Sequence, residues 1–334
     1  MRTFFENRWW AGNSKALPAL APFSKLFGTL IQKRAVFLKA QAEKLPVPIV
    51  VVGNITVGGS GKTPILMALA AYFLKQQMTV GIISRGYGRK TGGILEVLVD
   101  SKAENVGDEP LLIKKRLPQL AVFVGGNRLM AAKMLLEKHP KTALILSDDG
   151  LQHYTLPRNF ELAVFDARGI GNGFLLPRGP LREPLERLKN VDAILLNNFS
   201  DKSFLGEIKT PIFESMIKIG TPYSLKNPSL KKSDFGNETR IAAMSAIGNP
   251  MRFFESLKKL GFKIAYQKTF PDHHFFSLDD FDGINLPIFI TEKDAVKCQT
   301  LPLKNAWVLP IEAQIPPVLM QKILEKVKNG TARL

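Results

Sequence analysis

Apolar residues fall along this chain in short continuous runs separated by amphipathic stretches. PIVVVG (48–53), TVGIIS (79–84), LEVLVD (95–100), AVFVG (121–125) and ALILS (143–147) are of strand length and rich in aliphatic residues, and predict strands, most of them buried. Between them lie PILMALAAYFLKQQ (64–77), DEPLLIKKRLP (108–118) and NRLMAAKMLLEKH (127–139), which predict helices. Strands alternating with helices in this way predict a doubly wound α/β domain with a mostly parallel sheet.

The pattern continues more loosely. DAILLN (192–197) and PIFESMIKI (211–219) read as strands, and the polar stretch 221–238, rich in turn formers, reads as a linker. Beyond it, RIAAMSAI (240–247), a helix at 251–261, KIAYQKTF (263–270), PIFITEKDAVKC (287–298) and WVLPI (307–311) predict a second, smaller α/β lobe, followed by a basic helix near 316–329. At the other end, apolar positions 23, 26, 27, 30, 31, 37 and 38 have helical spacing, and Pro22 suits a first helical turn. The expected division is a basic amphipathic segment (1–45), a core domain (46–220) and a C-terminal lobe (221–334).

Charge narrows the partners. The 334 residues hold 46 Lys+Arg against 29 Asp+Glu, a formal net charge of +17, which points to an anionic partner. No recognisable nucleic-acid module accompanies that charge, so nucleic acid is not expected, and no obligate protein partner is evident. Residues 1–44 carry eight basic and two acidic residues, interleaved with aromatics that include Trp9 and Trp10. No stretch there approaches the ~20 apolar residues of a spanning helix, and the uninterrupted apolar region of a signal peptide is missing. Such a segment can pack on its own core or lie on an anionic membrane surface. The single cysteine, Cys298, excludes an intramolecular disulfide, and four histidines without HExxH argue against a structural zinc site.

The chemistry begins after the first strand. NITVGGSGKT (54–63) stands between a strand and a helix, the setting a phosphate loop requires. Gly58, Gly59 and Gly61 let backbone N–H groups converge on phosphate oxygens, and the helix N-terminus favours the negative charge. Lys62 would reach the β- and γ-phosphates, and the Thr63 hydroxyl would sit on Mg²⁺. Thr56 stands where the usual G-x4-G-K-[ST] pattern has glycine. Asp148 and Asp149 follow a buried strand, where phosphate-loop enzymes place the carboxylate that holds Mg²⁺. Asp108 and Glu109 open a helix, so a capping role and a catalytic or metal role both fit. His273 and His274, in FPDHH, are an acid–base candidate or a surface pair. Arg85, Arg89, Arg128, Arg178 and Arg182 could neutralise phosphate charge.

Eight strings in order, VVGNITVGGSGKTP (51–64), SRGYGRK (84–90), VGDEP (106–110), VGGNR (124–128), SDDGLQH (147–153), LAVFDARGIGNGFLLPRGPLREPL (162–185), FPDHH (270–274) and TEKDAVK (291–297), resemble the tetraacyldisaccharide 4′-kinase family. The resemblance covers almost the whole chain, from ENRWW onward. It implies a P-loop NTPase-like fold and transfer of the ATP γ-phosphoryl group to the 4′-hydroxyl of a tetraacylated disaccharide 1-phosphate. It also implies Mg²⁺ and peripheral or monotopic action at the cytoplasmic face of the bacterial inner membrane. The family's nucleotide site maps onto Thr56, Val57, Gly58, Gly59, Ser60, Gly61, Lys62 and Thr63. Its Asp–His pair maps onto Asp108 and His273, with Lys62 beside them as a catalytic residue. Its metal-side groups map onto Thr63, Glu109, Asp148 and Asp149. Substrate contacts are implied at Arg85, Tyr87, Arg128, Gln152, His153, Asn172, Arg182 and Glu183. Arg178 departs from the pattern, since a small residue is expected there.

Overall fold

In the computed structural model, which describes residues 8–10, 17–231, 235 and 239–329, α1 (Ala21–Lys39) precedes β1 (Ile49–Gly53), α2 (Lys62–Lys75), β2 (Val80–Ser84) and β3 (Leu95–Glu96). Next come α3 (Asp108–Arg116), β4 (Ala121–Val124), α4 (Arg128–Lys138), β5 (Leu144–Asp148), β6 (Phe160–Phe165), β7 (Ala193–Asn197) and β8 (Ile212–Ile219). The smaller lobe holds β9 (Tyr223–Ser224), β10 (Arg240–Ser245), α5 (Pro250–Lys259), β11 (Lys263–Thr269), β12 (Ile288–Thr291), α6 (Glu292–Cys298) and β13 (Ala306–Leu309). β14 (Ile311–Gln314) and α7 (Pro317–Asn329) follow.

Every residue of β1 is buried because alternate side chains feed two layers. Val50 and Val52 meet Ile65, Leu66, Leu69 and Phe73 of α2, while Ile49 and Val51 join the layer of Ala131, Ala132 and Leu135 of α4. Helices therefore cover both faces of a nine-stranded sheet of order β14-β8-β7-β6-β1-β5-β2-β4-β3. Its inner pairs are all parallel, and β3 and β14 are antiparallel edges. This is the doubly wound architecture expected, and the C-terminal ends of β1, β5, β6 and β7 lie along one rim. The second sheet, β11-β10-β12-β13-β9, is parallel except at β9.

Three expectations need correction. LEVLVD is a strand only at Leu95–Glu96, because a turn closed by the Leu98 N–H on Ser101 Oγ (2.9 Å) ends the pairing. The stretch 221–238 is not all linker, since Tyr223 and Ser224 pair with β13. The C-terminal lobe does not keep the end of the chain. After Pro310, β14 pairs with β8 of the large sheet, and Leu319, Ile323 and Val327 of α7 enter the same apolar layer as α2. Residues 311–329 thus belong with the core domain.

Helix α1 is the opposite of an ordinary surface helix. The residues it buries are Ser24 and Gly28. Ser24 Oγ donates to the Leu175 carbonyl at 2.6 Å, and a Cβ on Gly28 would stand 2.8 Å from Leu175 Cδ1. Phe23, Leu26, Leu30 and Phe37 point outward with 56–64% exposure. Just before it, Trp9 Nε1 donates to the Pro177 carbonyl at 3.1 Å and the Trp10 ring lies 4.4 Å from the Arg168 guanidinium carbon, so both tryptophans engage the 168–180 loop. Phe4 and Phe5, part of the same expected segment, lie outside the described residues.

Candidate active site

The loop after β1 delivers Lys62 and Thr63 at the start of α2. Gly61 has φ +72°, and a Cβ there would fall 2.2 Å from Asn197 Nδ2, so a side chain is doubly excluded. Asn197, at the end of β7, donates to the carbonyls of Ser60 (3.2 Å) and Gly61 (3.4 Å). Arg168 donates to the Gly59 carbonyl and is itself held by Asp166 (Nε to both oxygens, 3.1 Å). Neither residue was singled out from sequence. Asn197 closes a plain apolar run, and Arg168 stood unremarked within a matching string. Thr56, in the place of the usual glycine, forms a bridge with Leu181, and the Val57 N–H donates to the Pro180 carbonyl at 2.9 Å. These positions tie the loop to the 180–181 segment through an extended backbone, which explains why glycine is not needed. Gly58 and Gly59 remain exposed at the tip, with Ser60 buried behind them.

The end of β5 brings two carboxylates to the same rim. Asp149 lies 3.3 Å from Lys62 Nζ and accepts a bidentate fork from Arg182 at 2.8 and 2.9 Å. Burial works to raise its pKa, but Lys62 and Arg182 outweigh it and hold the carboxyl well below the usual range. Its φ of +48° is a left-handed conformation costing about 1–3 kcal/mol, a strain typical of sites where placement matters. Asp148 accepts from Ser84 Oγ at 3.0 Å. Burial, Glu109 and Asp149 push its pKa up to about 6, despite Lys62. It is an acid short of positive charge.

The third component comes from both lobes. Gly107 (φ +93°) turns the chain so that Asp108 begins α3. Asp108 Oδ1 accepts the Glu109 N–H at 2.9 Å, and Oδ2 stands 2.9 Å from His273 Nδ1. Gly107, not Asp108, holds the N-cap position, so Asp108 is the first helical residue and its carboxylate is free to meet the imidazole. Burial would raise its pKa, but His273 and Lys293 bring it below the ordinary value, so it is ionised and accepts from Nδ1. His273 has φ +66°, turning its ring toward the larger lobe. His274 faces away, 2.9 Å from Asp280 and stacked on Phe270. Of the two histidines, it is His273 that the fold brings against Asp108. Tyr87, Gly107, Asp108, His273 and Phe275 line a small recess here, with the Tyr87 ring 4.9 Å from that of His273.

The remaining sequence candidates separate into two groups. Arg182 and Gln152 share the Asn54 carbonyl (2.9 and 3.1 Å) beside Asp149, and Arg85 and Tyr87 are exposed on the rim. Arg128 is buried and donates to the Gly125 carbonyl. Burial lowers its pKa to about 10 while Asp148 and Asp149 oppose the fall, so it stays cationic. Asn172 and Glu183, by contrast, are taken up by the protein. Asn172 braces its own loop through the Arg178 carbonyl (3.0 Å) and the Phe174 N–H (3.2 Å), and Glu183 accepts from Gln152 at 2.5 Å and from Tyr154. Both are buried and brace the 172–183 segment from within. Arg178 lies over the Phe174 ring at 3.6 Å, so its side chain is packed rather than extended toward the site.

His153 gives a direct check on this electrostatic picture. Burial first, then Arg128, lowers its pKa to about 4. An NMR pH titration of the free protein should find this imidazole neutral at pH 6 and protonating near pH 4. The unfolded chain takes up that proton near pH 6.5, so this residue's contribution to stability falls as pH drops between those values. A His153 titration above pH 6 would contradict the arrangement.

A phosphate loop at a strand end, faced by an acid cluster and by an aspartate–histidine pair, defines a P-loop phosphotransferase. Comparison with known proteins takes the class to a family. Residues 16–328 match the family model for tetraacyldisaccharide-1-P 4′-kinase, and the chain belongs to that family. It is 42% identical to the tetraacyldisaccharide 4′-kinase of Dechloromonas aromatica over 96% of this chain and 97% of that one. The enzyme of that name from Neisseria meningitidis serogroup B is also 42% identical, over 98% and 96%. Among solved structures, LpxK from Aquifex aeolicus, described as an apo form in complex with ATP, superposes with a TM-score of 0.77 at 30% identity, covering 92% of this chain and 98% of that one. The protein is a kinase of lipid A biosynthesis.

Proposed function

We propose that this enzyme transfers the γ-phosphoryl group of ATP, with Mg²⁺, to the 4′-hydroxyl of tetraacyldisaccharide 1-phosphate at the cytoplasmic face of the inner membrane. The observation that carries the reading is the Asp108–His273 pair, drawn from two lobes and set at the rim that holds the phosphate loop. The side chain of Asp108 is 4% exposed and that of His273 19%, so the imidazole is the accessible member. Asp108 holds Nδ1–H, leaving Nε2 to take the proton of the 4′-hydroxyl. The freed oxygen attacks the γ-phosphorus, the bond to the bridging oxygen breaks, and ADP departs with its electron pair. Lys62, the loop N–H groups and Arg182 supply fixed positive charge.

The residues present suit Mg²⁺. Among the described residues no three acidic, histidine or cysteine side chains converge as a ready-made metal cage. Mg²⁺ at a phosphotransfer site needs one or two carboxylates and fills its other positions with water and phosphate oxygens. Asp148, short of positive charge, fits that demand, with Glu109 acting on it, Thr63 following Lys62 at the start of α2, and Asp149 already engaged by two cations. When bound, the ion would neutralise the β- and γ-phosphate oxygens.

An acylated disaccharide stays in the bilayer, so its kinase must come to it. The outward apolar stripe of α1, flanked by Lys33 and Arg34, suits that task, and no described helix is long and apolar enough to cross a membrane. The test is transfer of labelled γ-phosphate from ATP to tetraacyldisaccharide 1-phosphate in mixed micelles. The expected product is labelled lipid. ATP hydrolysis alone, or a phosphorylated soluble acceptor, from well-folded enzyme would overturn the substrate assignment.

A further inference from the structure

Lys293 stands in the first turn of α6, on the smaller lobe. Its Nζ is 3.1 Å from Glu109 Oε1 and 3.9 Å from Asp108 Oδ2, both on α3 of the larger lobe. It is also 3.1 Å from Asp272 Oδ1, in the loop that carries His273. One largely buried ammonium, 16% exposed, thus gathers three carboxylates from both lobes. Two of them flank the same imidazole. Asp108 lies 2.9 Å from Nδ1 of His273, and Asp272 lies 3.6 Å from Nε2. The junction has a separate latch in Arg116–Glu292 (2.8 Å), so joining α3 to α6 does not fall to Lys293 alone.

We propose that Lys293 is a positioning residue for phosphoryl transfer, clamping Asp108 and Asp272 on either side of the His273 ring across the lobe junction. The inference rests on the role proposed above for the Asp108–His273 pair. Without the ammonium, Asp108, Glu109 and Asp272 lose the cation they share, and like charges at such range drive the FPDHH loop away from α3. Of the groups assigned to the nucleotide and metal side, Lys293 is paired with Glu109 alone, while the phosphate loop is held by Asn197 and Arg168, so the phosphate cradle itself should be spared. The predicted signature is a loss in kcat without a matching rise in the KM for ATP.

The experiment measures lipid phosphorylation by the full-length chain in mixed micelles for wild type, Lys293→Met, His273→Ala and the double variant. Thermal melts and ATP binding confirm that each is folded. Lys293→Gln, which keeps an N–H donor without the charge, stands in if the methionine variant does not fold. Misplacing the imidazole by about an ångström should cost kcat ~10²-fold. The KM for ATP should stay within about threefold of wild type. In the His273→Ala background, where there is no ring left to place, Lys293→Met should cost less than about threefold more. An equal loss in both backgrounds, or a loss carried by the ATP KM, would overturn the proposal and leave a plain structural lysine. Full activity in His273→Ala would instead remove the pair from the mechanism, and this inference with it.

Discussion

Replacing Lys62 with methionine will lower lipid phosphorylation by about 10²–10³-fold, the loss seen when one fixed charge or donor aimed at a transition state is removed. The expectation follows from where the ammonium is. Lys62 is rooted in the first turn of α2, held near Ser60 Oγ (3.5 Å) and Asp149 (3.3 Å), so its position is set before any phosphate arrives. Methionine keeps much of the length and apolar stem but none of the charge. The fold should survive, because Asp149 retains the bidentate Arg182. The acid cluster should not escape unchanged. Lys62 is one of the groups holding the pKa of Asp148 down, so its removal pushes that carboxyl further above its present value of about 6. The check is steady-state kinetics beside ATP binding and a thermal melt. Activity within tenfold of wild type in a folded variant would place the phosphate-side charge elsewhere.

How much of this could be read from the chain varies by element, for physical reasons. The β1–loop–α2 unit was legible because three independent signals coincide, a β-branched strand, a glycine loop ending in Lys-Thr, and a long apolar helix. The return of β14 and α7 to the large sheet was not, because WVLPI reads as one apolar run and periodicity does not say which sheet a strand joins. Pro310 is where the chain changes sheets. The histidine pair shows another limit. His273 and His274 are equivalent in sequence, and only the left-handed turn at the first and the Phe270 stack on the second separate them. Asn172 and Glu183 stand in a motif whose polar residues look substrate-facing, yet Asn172 is spent on its own loop's backbone and Glu183 on Gln152 and Tyr154 of the segment after β5. Motif position reports that a residue matters to a site, and burial then decides whether it acts by contact or by support.

The same logic bears on α1, where helical spacing suited packing and membrane contact equally. Small residues face the protein and large apolar ones face out, which leads to the second large effect. Substituting Phe23, Leu26, Leu30 and Phe37 with serine together should abolish stable binding to vesicles of anionic lipid. Full burial of such side chains is worth about 1.5–3 kcal/mol each. Insertion to half depth leaves roughly 1 kcal/mol apiece, so about 4 kcal/mol in all, close to a 10³-fold fall in partitioning. Neutralising Lys25, Lys33 and Arg34 with glutamine should act differently, at about 1 kcal/mol per charge and with a dependence on salt that the serine variant lacks. The fold should tolerate both sets, because α1 reaches the protein body through Ser24 and Gly28 against Leu175. Vesicle co-sedimentation reads the partitioning, and kcat/KM on micelle-borne lipid reads its consequence. The serine variant should keep ATP binding while losing lipid phosphorylation at low lipid fraction, and recover part of it as the lipid fraction rises. Undiminished vesicle binding by that variant would assign the outward stripe to another partner and leave membrane attachment to a different surface of the molecule.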